Sequence, residues 1–310
     1  MNLTAKNITK RYATQVALNN VSIEVPERSI FGLLGPNGAG KTSLIRIINM
    51  ITAPDQGELF LGGKKLNAAH KEIIGYLPEE RGLYKKMKVG EQAVYLAQLK
   101  GLNRTDATRH LKQWFTRFEI LGWWNRKVEE LSKGMQQKIQ FIVTVIHQPK
   151  LLIFDEPFSG FDPINANLIR DEILQLREDG ATVIFSTHNM STVEELCDDI
   201  ALINKSNIIL DGKMSDIKNN HKSNMYSVEL SGLNTPLKSL LNGRFELTEE
   251  QTKDTVCTAR IQLKNTDNPN DLLSVLLPHA QVRALNEIIP TMNDIFISKV
   301  NNDSSKSQSV

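Results

Sequence analysis

One join restricts what this chain can fold into more than any other part of it. An apolar stretch, Ser29 to Leu34, runs straight into Gly35-Pro-Asn-Gly-Ala-Gly40-Lys41-Thr42, and from Lys41 to Met50 the apolar residues Leu44, Ile45, Ile47 and Ile48 recur at helical spacing. A strand, a glycine-rich loop and a helix in that order form a cradle for phosphate. The glycines let backbone N–H groups turn inward and the helix aims its positive end at the same point. Lys41 can reach β and γ phosphates, and Thr42 can ligand Mg2+. Gly35, Pro36, Asn37, Gly38, Ala39, Gly40, Lys41, Thr42 and the adjoining Ser43 are the candidate nucleotide contacts. With glycine near 7% of ordinary usage, such spacing arises by chance in roughly one chain in a hundred of this size. Its place between a strand and a helix makes a ligand-free turn the weaker explanation, so a nucleoside triphosphate is the expected ligand.

Two further stretches fit that chemistry. Leu151-Leu-Ile-Phe-Asp155-Glu156 is an apolar strand ending in two carboxylates. By itself this describes any strand entering solvent. Downstream of a phosphate loop it places Asp155 near the metal's shell and lets Glu156 polarise a water in line with the γ phosphate. Leu131-Ser-Lys-Gly-Met135 opens a predicted helix running to Ile146. Ser132 and Gly134 there offer a hydroxyl, free N–H groups and a helix dipole, either as an ordinary N-cap or as a second phosphate contact.

The remaining pattern alternates strands and helices. Strands are expected at Val21–Val25, Ile73–Leu77, Leu151–Phe154 and Thr182–Phe185, and helices at Asn165–Glu178 and Ser191–Cys197, which implies an α/β fold with a largely parallel sheet covered on both faces. From Lys85 to Glu130 there is no strand candidate; that stretch holds all three Trp residues and reads as a helical insertion. A polar stretch at Asn219–Asn224 suggests a boundary, with strands Tyr226–Leu230 and Val256–Leu263 and a helix near Asp271–Leu277 beyond it. Residues 301–310 are too polar to be expected to fold. The 310 residues carry 37 Lys and Arg against 35 Asp and Glu, a net charge of +2 that gives no basic field for nucleic acid. Cys197 and Cys257 lie in no metal or disulfide spacing, so a reducing cytoplasm is expected. No apolar run reaches a membrane span and the N-terminus lacks a signal peptide's apolar core, so the chain is expected to be soluble by itself.

At this point the order of motifs resembles the ATP-binding subunit of ABC transporters: GPNGAGKT at 35–42, LSKGM at 131–135, IFDEP at 153–157, SGFD at 159–162 and STH at 186–188. The resemblance implies a P-loop cassette with a mixed sheet over residues 1–220, an inserted helical subdomain at about 85–130, a small C-terminal α+β domain at 221–300 and a disordered tail at 301–310. It places Tyr12 against adenine, although a half-buried strand tyrosine is the other reading. It also implies ATP and Mg2+ as ligands, with a second ABC subunit, identical or not, forming a head-to-tail dimer. Ser132 and Gly134 would then meet the partner's ATP, Asp162 would cross the interface, and His188 would hold the attacking water with Glu156. A separate integral membrane permease is implied, with the subunit on the cytoplasmic face of a bacterial membrane and no nucleic acid bound.

Three positions depart from the family pattern. Glu79 stands where a Gln is usual; it can still hold a metal-bound water but loses an amide donor. Lys133 replaces the signature's first Gly, and Met135 its Gln. The stretch Pro78-Glu-Glu-Arg-Gly-Leu-Tyr84 and the ending Pro-Thr-Met-Asn-Asp-Ile-Phe296 resemble the ATPases of sodium- or drug-efflux exporters. Asn204-Lys-Ser-Asn207 lacks the carboxylate that reads guanine, so a GTPase is disfavoured. The alternative from another class is a non-transport ABC ATPase acting on nucleic acid or ribosomes. It would need a long coiled coil between residues 41 and 131, or a second cassette, and neither is present.

Overall fold

The computed structural model describes residues 1–306 apart from Arg81 and Asn265. By contact the chain forms two compact units, Met1–Met214 together with the residues from Lys299 on, and Ser215–Ser298.

The first unit opens with a long hairpin, β1 (Leu3–Tyr12) and β2 (Gln15–Val25), followed by β3 (Ile30–Leu34) and helix α1 (Lys41–Ile48). Next come β4 (Gln56–Leu61), the short β5 (Lys64–Lys65) and β6 (Ile74–Leu77). The inserted stretch then supplies α2 (Val89–Leu99) and α3 (Arg104–Arg117), after which α4 (Lys133–Val145), β7 (Leu151–Asp155), α5 (Pro163–Glu178), β8 (Thr182–Thr187), α6 (Met190–Leu196), β9 (Asp199–Asn204) and β10 (Asn207–Lys213) complete it. β1, β2, β4 and β5 form an antiparallel sheet. The central sheet runs β10-β9-β3-β8-β7-β6, parallel except for β10 at its edge, and is therefore mixed. Every residue of β3, β7 and β8 is buried, as a parallel strand covered on both faces requires. One apolar cluster holds residues of both sheets and of α1: Leu3, Ile8, Leu18 and Val21, then Leu44 and Ile48, and Leu33, Ile153 and Ile184.

The insertion has no strand of its own beyond an isolated bridge, Lys88 with Lys127. Its helical pattern divides in two. Gly101, at φ 92°, ends α2, and Asn103 caps α3 by accepting from the Asp106 N–H at 2.9 Å. Trp124 and Phe115 pack edge to face at 5.3 Å within it.

After α7 (Met214–Asn220), the second unit contains β11 (Met225–Ser231), α8 (Leu237–Leu241), β12 (Glu246–Lys253), β13 (Val256–Gln262), α9 (Pro269–Leu276) and β14 (Gln281–Ile288). The antiparallel sheet order is β12-β13-β11-β14. This is a split β-α-β arrangement, with β13 lying between β11 and β12, the pair joined by α8. Val228, Leu230, Ala259 and Ile261 from the sheet pack on Leu237, Leu241, Leu272 and Leu276 from the helices.

The last helix, α10 (Met292–Lys306), corrects the expectation of an unfolded tail from residue 301. Thr291 and Asp294 bond reciprocally at its start, with the Thr291 N–H donating to Asp294 Oδ2 at 3.0 Å and the Asp294 N–H to Thr291 Oγ1 at 3.2 Å. Near its end Asp303 accepts from Asn204 Nδ2 at 2.6 Å. Tertiary contact thus carries the helix into polar sequence that composition alone leaves uncovered. Residues 307–310 lie outside the described residues. Among the described residues no helix is long and apolar enough to cross a membrane.

Candidate functional site

Neighbouring parallel strands deliver the motifs to one edge of the central sheet. Leu34 pairs with Thr187, Asp155 with Ser186, and Leu77 with Phe154, so the loop after β3, the residues after β8, the two carboxylates ending β7 and the turn after β6 emerge side by side. This is the carboxyl end of the strands, where open α/β sheets hold ligands. A cavity of about 450 Å³ lies there. From the glycine-rich loop it is lined by Asn37, Gly38, Gly40, Lys41, Thr42 and Ser43, and from elsewhere by Tyr12, Glu79, Asp155, Glu156 and His188. Gly35, Pro36 and Ala39 shape the loop without lining the cavity.

The loop demands glycine at two points. Gly35 has φ 146° and Gly40 φ 122°; a Cβ on the first would meet Ile203 O at 2.1 Å and on the second Ala17 O at 2.4 Å. Lys41 is only 7% exposed and donates from Nζ to Gly35 O at 2.7 Å and Pro36 O at 3.1 Å. Burial lowers its pKa, while Glu156, Asp155 and Glu79 oppose that by favouring the cation. Lys41 is thus a desolvated cation held among three carboxylates.

Asp155 is 4% exposed and accepts from Ser186 Oγ at 2.5 Å. Glu156, the next residue, has φ 50°, an uncommon conformation for glutamate, and its N–H donates to Ser186 O at 3.2 Å. That kink turns the chain as it leaves the strand. The Glu156 carboxylate sits 2.8 Å from His188 Nδ1 through Oε1, and accepts from Thr187 Oγ1 at 3.4 Å through Oε2. Tyr76, beneath the same edge, has its phenol pushed up to about 12 by burial and then by Asp155.

Tyr12 ends β1 and is 41% exposed. Lys10 lies 5.5 Å from its ring centroid and is fixed by Asp55 at 2.8 Å. Thr42, Asp155 and Glu79 offer one hydroxyl and two carboxylates around a single cavity. No group of three or more His, Cys, Asp or Glu suited to a metal occurs among the described residues. Such a sparse set of hard oxygen donors fits Mg2+, which keeps waters and takes phosphate oxygens in its shell.

Ser132, Gly134 and Asp162 do not line this cavity. Ser132 caps α4, its Oγ accepting from the Met135 N–H at 3.3 Å, and Asp162 caps α5, accepting from the Asn165 N–H at 3.0 Å. Hydrogen bonds from the Asn165 backbone and then its amide hold the Asp162 carboxyl below the usual range. The two caps are near each other, since a Cβ on Gly134 would stand 3.6 Å from Gly160 O and 3.7 Å from Phe161 Cδ1.

Sequence reasoning missed five residues. Gln15, Ala17 and Ser159 line the cavity; Gln15 faces Tyr12 across the two-residue turn of the β1–β2 hairpin. Gln137 and Gln140 are buried on α4, and their amides donate to Pro157 O at 3.1 Å and to Glu80 O at 3.3 Å, tying the helix to the loops after β7 and β6. Their sequence signal is two amides three apart, with Gln140 flanked by the apolar Ile139 and Phe141.

A family model described as ABC transporter matches residues 18–159, and one described as ATP-binding protein DrrA1-3-like, C-terminal domain, matches residues 212–300. A third, AAA domain, putative AbiEii toxin, Type IV TA system, overlaps the cassette at 125–194. The chain is 40% identical over 301 residues to "Uncharacterized ABC transporter ATP-binding protein YhaQ" of Bacillus subtilis, covering 96% of this chain and 98% of that one. It is 35% identical to "Linearmycin resistance ATP-binding protein LnrL" of the same organism, covering 69% and 70%. A solved structure described as "Structure of ATP binding subunit of ABC transporter" superposes with TM-score 0.66 at 27% identity, over 71% of this chain and 93% of that one. The chain therefore belongs to the ABC transporter ATP-binding proteins, as a transport ATPase with a DrrA-like C-terminal domain.

Proposed function

We propose that this subunit hydrolyses ATP at the cavity on the carboxyl edge of the central sheet and that a separate membrane permease uses the energy for export. The observation that carries the chemistry is the group formed by Lys41, Glu156 and His188, three residues far apart in sequence that share one cavity, with Glu156 and His188 2.8 Å apart. Tyr12 takes the adenine face. The backbone N–H groups of residues 37–43 and Lys41 hold the phosphates, and Lys41 stabilises charge on the γ phosphate as it transfers. Mg2+, when bound by Thr42, Asp155 and Glu79, neutralises phosphate charge. Glu156 accepts the proton of the attacking water, and His188 keeps the carboxylate oriented.

Ser132, Gly134 and Asp162 stand away from their own cavity at two adjacent helix starts, which supports a second cassette whose ATP they complete. Export is supported by the resistance name of LnrL and by the DrrA-like domain. Docking through the permease places the subunit on the cytoplasmic face of the membrane. Changing Glu156 to Gln keeps size and hydrogen bonding and removes the base. Purified Glu156→Gln should bind ATP as wild type does and hydrolyse it on the order of 100-fold more slowly. Turnover within a few-fold of wild type would remove Glu156 from this role.

A further inference from the structure

At the opposite edge of the central sheet lies a larger cleft, about 710 Å³, that the ATPase chemistry does not use. Its walls come from the amino ends of the strands that carry nucleotide motifs at their other ends: Arg28 just before β3, Lys150 just before β7, and the turn after α5 that leads into β8. The far wall is Trp114 on α3, so the cleft runs between the helical insertion and the sheet.

The chemistry of this cleft is specific. Neither the Arg28 guanidinium nor the Lys150 ammonium has an ion pair or side-chain hydrogen bond among the described residues. Of the two acids in the lining, Glu27 pairs with the Met1 amino group at 3.2 Å, and Asp179 accepts from Gln175 Nε2 at 2.9 Å. Arg28 is set in place by its backbone, at φ 56° with its N–H donating to Thr182 Oγ1 at 3.0 Å. The indole of Trp114 is fixed too, 5.7 Å from the ring of Phe118 and 6.3 Å from that of Phe141, with the Arg117 guanidinium, paired to Glu172, 5.4 Å from its own centroid. Two exposed cations without a protein partner line the same cleft as a held aromatic ring, and a volume typical of small-molecule sites so lined selects a ligand with both a charge and a flat apolar body.

We propose that this cleft is a second ligand site that takes a small aromatic anion, with Arg28 and Lys150 on the carboxylate or phosphate and Trp114 against the ring. The site is independent of the nucleotide cavity and draws on none of its residues.

Calorimetric titration of the full-length protein with indole-3-acetate, and with indole-3-acetamide as its uncharged match, tests the assignment. Saturable binding of one acid per chain is expected, with the amide at least tenfold weaker. The double variant Arg28→Gln, Lys150→Gln should weaken the acid by tenfold or more while still binding ATP. Lys41→Ala should leave the acid's affinity unchanged, and saturating ATP should not displace it. Equal affinity for acid and amide, displacement by ATP, an unaltered double variant or an absence of saturable binding would each overturn the proposal. If the double variant fails to fold, the acid–amide comparison on wild type decides alone.

Discussion

Gly40 shows how little freedom the phosphate loop leaves. Its φ of 122° is outside the range that other residues adopt readily, and a methyl group there would overlap Ala17 O at 2.4 Å. The Gly40→Ala protein must either shift β2 or reshape the loop, at a cost of about 1–3 kcal/mol. Either change moves the N–H groups that lead into α1. A lowered urea midpoint together with loss of ATP binding by calorimetry is expected; unchanged binding would show that the loop tolerates another path. Glu156 is the contrasting case, an uncommon backbone conformation at a residue that is not glycine. The sequence marks Glu156 as chemical from its neighbours, but nothing in it announces the kink.

Among the elements, those buried on both faces were the easiest to read. β3 is an unbroken apolar run and β7 and β8 are built on the apolar runs Leu151–Phe154 and Val183–Phe185, so they could be placed from composition. β1 was missed because register shifts interrupt its pairing and Asn7 sits at φ 55°, so its apolar residues lose strict alternation. The β9–β10 hairpin was missed for a different reason. Its turn places Lys205 and Ser206 at φ 43° and 70°, where Asn-Gly is the usual signal. β12 carries Glu246, Glu249 and Glu250 and is exposed at all but one position, an edge strand without an apolar face. Local structure also sets a pH response at the end of α4. Burial, and secondarily Lys100, depress His147 to about 4 from the ordinary histidine range near 6.5. The folded chain therefore binds fewer protons than the unfolded chain between those values, and stability falls as pH drops through that window. His147→Gln should reduce the loss between about pH 7 and about pH 4.5 by on the order of 2 kcal/mol, read from urea midpoints at the two pH values. An identical loss in both proteins would assign the acid sensitivity elsewhere.

At the scale of the whole molecule, the sequence boundary near residue 220 and the division of the fold differ at both ends. The units separate after Met214, and the residues from Lys299 on group with the first unit, where Asp303 meets Asn204. Ending the chain at Asn220 should therefore leave ATP binding intact, since every residue lining the nucleotide cavity precedes Asn189. It should also lower the thermal midpoint of what remains, because the last turns of α10 are lost; an unchanged midpoint would make those turns dispensable. If two cassettes share their sites and both sites must be intact for turnover, an excess of Ser132→Arg chains mixed with wild type should depress ATPase activity below simple dilution. Strictly proportional activity would exclude a pair of shared sites that depend on each other. Gly134 extends this point to inheritance. Beyond its chain neighbours and its own helix backbone, no described atom comes closer than 3.6 Å to a substituent there, so packing exerts no pressure to keep glycine at that position. If a second cassette meets Gly134 as proposed, the pressure comes from that chain, and an allele altered at codon 134 would encode a folded protein whose defect is suffered by its neighbour. In a cell carrying both alleles such a change would reach the working copy through mixed dimers, whereas one that keeps the chain from folding would be silent beside it.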